Sequence, residues 1–148
     1  MLKQKLYQHC LDHHSKNLLF FKERDSEILL DLESESKSSA GDKHETGRAM
    51  IHLEREKLGE QLKQAEHNLK LLLPLKNIGN SKKVGLGSVV ITNNLNYYLA
   101  VSSPEFILDS KKYYCVSSLS PIGKLLVGKT MGDLIVFNNT TSTIEQIL

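Results

Sequence analysis

The chain has no tryptophan, only two cysteines and only three prolines, Pro74, Pro104 and Pro121, so its first 73 residues are free of proline altogether. Each shortage excludes something. Cys10 and Cys115 lie far apart and form no CxxC pair, which removes a thiolate-built structural zinc site and makes a reducing, cytoplasmic setting the simplest expectation. No uninterrupted apolar run approaches the roughly 18 to 20 residues that cross a bilayer, and the start MLKQKLYQHCLDHH lacks the apolar stretch of an export signal. No membrane partner is therefore expected. Nineteen basic against seventeen acidic residues leave a net charge of +2, so nothing in the balance demands nucleic acid as a direct, tight partner. At 148 residues the chain holds one ordinary domain or two small ones, with little room for a large catalytic cleft.

Freedom from proline permits long helix, and the apolar pattern supports it. Tyr7, Leu11, His14, Leu18, Phe21, Asp25, Ile28 and Leu32 follow alternating steps of four and three, forming one stripe with polar interruptions at His14 and Asp25. Leu58, Leu62, Ala65, Leu69 and Leu72 repeat the rhythm, with Ile51 one heptad earlier. Between the two seams lies Ser36-Lys37-Ser38-Ser39-Ala40-Gly41, small, polar and ending in glycine, as expected where a helix stops and reverses. An antiparallel helical hairpin over residues 1–76 is the economical solution, each arm on the order of 45 Å long at the standard helical rise. Its turn region, near 36–46, is acidic, and Arg48, Arg55, Lys57, Lys63, Lys70 and Lys76 make the following stretch mildly basic. Both seams are satisfied inside one hairpin, so a monomer is expected.

Pro74 ends the second helix, and residues 77–83 read as a short polar linker. Beyond it, over 84–148, the periodicity changes to that of strands. Ser88–Thr92 and Tyr97–Ser102 flank the turn residues Asn93 to Asn96, and Tyr113–Leu119, Asp133–Asn138 and Ser142–Leu148 are further β-branched or aromatic runs. Ser120-Pro121 offers an N-cap and a first-position proline for one short helix, which Gly128 would end. The fold class is thus α+β, a helical hairpin (coiled coil) followed by an antiparallel sheet with one helix across it.

The run Ser117-Ser-Leu-Ser-Pro-Ile-Gly-Lys-Leu-Leu-Val-Gly-Lys-Thr-Met-Gly-Asp133 resembles the C-terminal signature of the Gre-type transcript cleavage factors: Ser-Pro, an aliphatic, a small residue, a leucine-rich turn, Gly-Lys and then Gly-Asp. Gly41-Asp42-Lys43-His44-Glu45 is similar to that family's tip motif, an aspartate followed three residues later by a glutamate. The likeness covers the whole chain in the family's domain order. It implies an FKBP-like C-terminal domain that binds the rim of the secondary channel of bacterial RNA polymerase, with Ser120, Pro121, Gly123 and Lys124 in the signature and Arg48 and Arg55 on the hairpin as partner-binding candidates. It also implies that Asp42 and Glu45 reach the polymerase active centre and the 3′ end of backtracked RNA. Two carboxylates suit that task, because in-line attack of water on a phosphodiester is helped by a second Mg²⁺ and an oriented water. Asp42 is the expected metal ligand, and Glu45 shares the metal or orients the water. No cofactor is expected to bind stably. Mg²⁺ would be shared with the polymerase, and the chain would be no enzyme by itself.

After Glu45 the sequence Thr46-Gly47-Arg48-Ala49 departs from the family's Asn, Ala, acidic residue and Tyr. The corresponding alternative is a channel-binding regulator that does not promote cleavage. Three blander readings stand beside these. Asp42-x-x-Glu45 is also a capping box, His9 and His13 are four apart on what reads as a solvated helix face with no third metal ligand, and an autonomous prolyl isomerase is disfavoured because the β region has no tryptophan to line a pocket.

Overall fold

A computed structural model describes residues 1–36 and 41–148, with the side chains of 35, 36 and 41–44 outside the described set. Helix α1 spans Leu2–Ser36 and α2 spans Gly41–Leu72, followed by a single 3₁₀ turn at Leu73–Leu75 that holds Pro74. The expected reversal at Ser36–Gly41 lies largely outside the described residues. The expected linker, 77–83, carries neither helix nor strand, and only its last residue makes an isolated bridge, Lys83 to Thr130. Strands β1 (Val89–Thr92), β2 (Asn96–Ala100), β3 (Ser103–Leu108) and β4 (Lys111–Ser117) precede α3 (Pro121–Leu126), and β5 (Leu134–Phe137) and β6 (Thr140–Ile147) follow it. The architecture is α+β, a helical hairpin and then a six-stranded, mostly antiparallel sheet in the order β3-β4-β2-β1-β6-β5.

Two compact units divide the chain, Met1–His13 with Asn68–Leu148, and His14–His67. In the first, both faces of the sheet are covered, which is why β2 is a nearly continuous buried run rather than an alternating one. Its residues still alternate by destination. Tyr98 and Ala100 join Val89, Tyr113 and Cys115 beneath Leu6, Tyr7 and Cys10 of α1, Leu72 of α2 and Leu75 of the 3₁₀ turn, whereas Tyr97 and Leu99 join Val90, Ile135 and Ile144 beneath Ile122 and Leu126 of α3. The sequence anticipates only α3 as a cover. The second cover comes from helix ends assigned on periodicity to a separate hairpin.

The sheet departs from the expectation in two further ways. It contains β3, an edge strand, and β2 pairs with β4 in parallel, Tyr98 opposite Cys115. The two facts are one. After Ala100 the chain turns away and returns as β3, and the β3–β4 hairpin then places β4 between β3 and β2, antiparallel to the first and parallel to the second. Asp109 and Ser110 close that hairpin with both φ angles positive, at 50° and 65°, and Asn138 and Asn139 close β5–β6 likewise, at 52° and 60°. Two successive left-handed residues are what a tight hairpin turn needs to match strand twist.

The second unit consists of α1 and α2 segments held by a narrow seam. Ile28, Leu58 and Ala65 are buried there, as the periodicity requires, and so is His14 despite its polarity. The other polar interruption, Asp25, accepts from Arg55 Nε at 3.4 Å, while Arg24 donates to Glu54 at 2.5 Å and to Glu27 at 2.9 Å. Two adjacent, oppositely ordered pairs, Arg24–Glu54 and Asp25–Arg55, thus pin the antiparallel register. Each partner is substantially solvated, so the energetic effect is small. A double-mutant cycle on Asp25→Ala and Arg55→Ala is expected to give a coupling below about 1 kcal/mol that shrinks further in high salt, as read by denaturant unfolding. Among the described residues, no helix is long and apolar enough to cross a membrane.

Candidate functional site

Two groups of residues were expected to carry function, and each is built by a different kind of local structure. On the hairpin, Asp42 and Glu45 both fall in the first turns of α2, three residues apart and therefore on one side of the helix. The Asp42 side chain lies outside the described set, so the capping-box alternative, which needs its carboxylate, lies outside it too. Glu45 is exposed, and among the described residues its carboxylate has no ion-pair partner. Arg48, one turn onward on the same side, is half-buried. Arg55 is already engaged with Asp25, so the cation expected to meet a partner spends part of its donor capacity on the hairpin itself. Among the described residues there is no group of three His, Cys, Asp or Glu able to hold a metal ion. Glu45 supplies the hard oxygen that Mg²⁺ prefers, but as one ligand of several that would have to come from elsewhere.

In the first unit, the Ser117–Asp133 segment is a chain of caps and turns. Ser120 is the N-cap of α3, extended at φ −69° and ψ 159°, and its Oγ accepts from the Gly123 N–H at 3.1 Å while donating to the Ser117 carbonyl at 2.6 Å. Pro121 occupies the first helical position, where its missing N–H costs nothing. Gly123 is buried with no space for a side chain, since a Cβ there would lie 1.9 Å from the Ser117 carbonyl oxygen. Gly128 follows the helix at φ 81°, its N–H donating to the Val84 carbonyl at 2.9 Å. Gly132 then turns at φ 92°, and Asp133 Oδ2 accepts from the Thr130 N–H at 2.8 Å and from its Oγ1 at 3.2 Å. Ser120, Gly123, Gly128, Gly132 and Asp133 are therefore explained by backbone requirements. Of the expected partner-binding residues here, Pro121 and Lys124 are exposed, Ser120 is half-buried and Gly123 faces inward.

The Thr130 hydrogen bonds, above all that from its backbone N–H, hold the Asp133 carboxyl below the ordinary carboxylate value. The unfolded chain then takes up the proton at higher pH than the folded one. Whatever stability this contact contributes is complete above the unfolded pKa and is lost as pH falls through the folded one. Carboxyl-carbon NMR titration is expected to place Asp133 below the exposed aspartates. Replacing Thr130 by valine, which keeps the backbone donor, should return it only part of the way.

Sequence reasoning missed Leu119, which reads as the end of a strand but stands 78% exposed just before the N-cap. A signal was available. A residue preceding an N-cap usually packs on an apolar side chain at the fourth helical position, and that position here is Lys124. His9, read as part of a solvated face, is only half-exposed: its Nε2 is 2.8 Å from the Pro104 carbonyl and its ring packs at 5.0 Å against Phe106. The cavity against Tyr97, Ile122, Ile135 and Phe137 is about 110 Å³, smaller than the open groove of about 540 Å³ lined by Asn80, Ser81, Lys82, Thr130, Met131 and Ile147.

The fold these elements define is that of a helical hairpin joined to a mixed sheet. Among solved structures the chain is similar to the one described as "Structure of the transcription factor Gfh1", with 21% sequence identity, 94% of this chain and 93% of that chain covered, and a TM-score of 0.38. No family model matches the chain. No curated protein matches it either.

Proposed function

We propose that this chain is a Gre-type transcription factor that inserts its hairpin into the secondary channel of bacterial RNA polymerase and assists cleavage of backtracked RNA. One observation supports the reading above others: Glu45 stands exposed in the first turns of α2, in a chain that also carries the Ser117–Asp133 signature. In this reading the chain acts as a monomer in the cytoplasm and is not an enzyme alone. It completes a site in its partner. Leu119, Pro121 and Lys124, exposed around the rigid Ser120 cap, would meet the channel rim.

The chemistry then divides simply. Mg²⁺ bound within the polymerase would supply Lewis acidity toward the scissile phosphate. Asp42 would offer a carboxylate oxygen to that ion, and Glu45, one helical turn away, would share the ion or orient a water by hydrogen bonding and take its proton. Binding is the work of other residues, so delivery and chemistry are separable.

A second reading is favoured by a specific feature. Arg48 follows Glu45 by three residues on α2, which puts a positive charge on the same side of the helix as that carboxylate. Such a tip suits a regulator that occupies the channel without promoting cleavage. A backtracked elongation complex with Mg²⁺ and the full chain separates the two: release of short 3′ RNA fragments supports the first, while binding without fragments supports the second. Absence of binding rejects both.

A further inference from the structure

Cys10 and Cys115 are the only thiols in the chain, and the fold brings them together from α1 and β4, 105 positions apart in sequence, into the same core. Their side chains hydrogen-bond to each other, and Ser103 on β3 hydrogen-bonds to Cys10 as well. Ser103 is the cross-strand partner of Cys115, so three residues from three elements meet at one point. The neighbouring turn of α1 is held by His9 on Pro104 and Phe106, which fixes Cys10 over the β3–β4 pair. Both cysteines are almost wholly buried, at 0% and 4% exposure, so neither is presented to another molecule.

Two thiols in contact, with no third to compete, have one oxidative outcome available within the fold. We propose that Cys10 and Cys115 form a reversible disulfide that staples the start of α1 to β4 when the protein meets a peroxide. The partition of roles follows from the hydrogen bond between them. Cys115 is held in its protonated form by donating to Cys10 and by burial, while the same bond favours the thiolate at Cys10. The Cys10 thiolate attacks one peroxide oxygen, the O–O bond breaks, and the departing hydroxide leaves as water with the proton Cys10 had released, giving a sulfenic acid at Cys10. The Cys115 sulfur then attacks Cys10 Sγ. The S–S bond forms, the S–O bond breaks, and the hydroxide leaves as water with the Cys115 proton. Two thiols and one peroxide become one disulfide and two waters. A dithiol reductant reverses it by exchange. Access for the peroxide requires a transient local opening around Cys10, since both thiols are buried in the closed fold.

The staple closes a loop of about 100 residues, a length at which crosslinking strongly restricts the unfolded chain. The test uses the reduced, full-length wild-type protein, exposed under native conditions to hydrogen peroxide, then denatured, alkylated and weighed. The expected result is a monomer lighter by two hydrogens with no alkylatable thiol. Its unfolding midpoint should be raised by roughly 5–15 °C, and dithiothreitol should restore both thiols and the original midpoint. Persistence of both thiols under conditions that oxidise the unfolded chain would overturn the proposal, as would sulfinic acid or disulfide-linked dimers as the main product. Because Cys115→Ala leaves a cavity and risks misfolding, it serves only as a control in which the two-hydrogen loss must vanish. If that loss survives in the variant, the assignment is wrong.

Discussion

Gly123→Ala is expected to lower the thermal unfolding midpoint by about 5–10 °C, since it brings the tightest backbone approach found at any described glycine. The added Cβ would lie 1.9 Å from the Ser117 carbonyl oxygen and 2.9 Å from both the Ser117 carbonyl carbon and the Ser118 Cα. All three are backbone atoms, so no rotamer change relieves the clash. The carbonyl that must move also accepts from the Ser120 N–H at 3.1 Å and from Ser120 Oγ at 2.6 Å. Displacing it therefore loosens the N-cap of α3, and with it Ile122 and Leu126, which cover one face of the sheet. Forced overpacking costs roughly 1–3 kcal/mol, and loss of a serine cap adds about 1 kcal/mol. Gly59 provides the contrast. It lies within α2 with nothing within 4 Å of a Cβ, so Gly59→Ala should raise the midpoint slightly through helix propensity alone. Differential scanning calorimetry on the two variants gives opposite signs if backbone proximity, rather than glycine content, explains Gly123.

That contrast bears on how the signature is to be understood. A run of matched residues in a sequence suggests a binding motif, yet Ser120, Gly123, Gly128, Gly132 and Asp133 each meet a requirement of the backbone around them. What remains on the surface is Leu119, Pro121 and Lys124. The invariant-looking part shapes the turn, and the turn decides what is displayed.

Legibility differed between the halves for physical reasons. The helices were readable because a repeat of three and four residues runs through 7–32 and again through 51–72, within 73 residues free of proline. Asp25 looked like a flaw in that repeat until its partner was seen: an ion pair with Arg55 joins positions thirty residues apart, and no local pattern announces it. β3 was missed because Ser103-Pro104-Glu105 resembles a breaker, whereas proline is tolerated on an edge strand, where half the backbone groups face no neighbour. Its hairpin is closed by Asp109-Ser110 rather than by a glycine-containing pair, so the usual turn signal was also absent. With β3 unseen, the parallel pairing of β2 with β4 had no route to being inferred. The docking of Leu6, Tyr7 and Cys10 on the sheet was hidden for another reason. Only Tyr7 falls on the stripe read as the helical seam, Leu6 and Cys10 lie beside it, and periodicity alone records that a face is buried, not by what.

Removing the two hairpin carboxylates together should separate delivery from chemistry more sharply than any other change. In a reconstituted backtracked complex, Asp42→Ala with Glu45→Ala is expected to reduce fragment release by about a hundredfold, the scale on which a positioned group acting only in the transition state contributes. Binding to the polymerase should be retained within about twofold, because the proposed docking surface is Leu119, Pro121 and Lys124 and includes neither residue. Stability should fall by no more than the roughly 1 kcal/mol of a lost capping box, which separates this variant from Gly123→Ala, where loss of activity would follow loss of the fold. Metal dependence provides the finer discrimination. If Asp42 contributes an oxygen to Mg²⁺, the single Asp42→Ala variant should recover part of its activity at raised Mg²⁺, while Glu45→Ala, having lost the group that orients water, should not. Arg48→Ala is expected to act in the opposite direction, raising fragment release by removing a positive charge from the side of α2 that carries Glu45. If Arg48→Ala and the double variant both leave fragment release at the level of polymerase alone, while wild type binds and also fails to stimulate, the chain occupies the channel as a regulator and the cleavage reading is rejected.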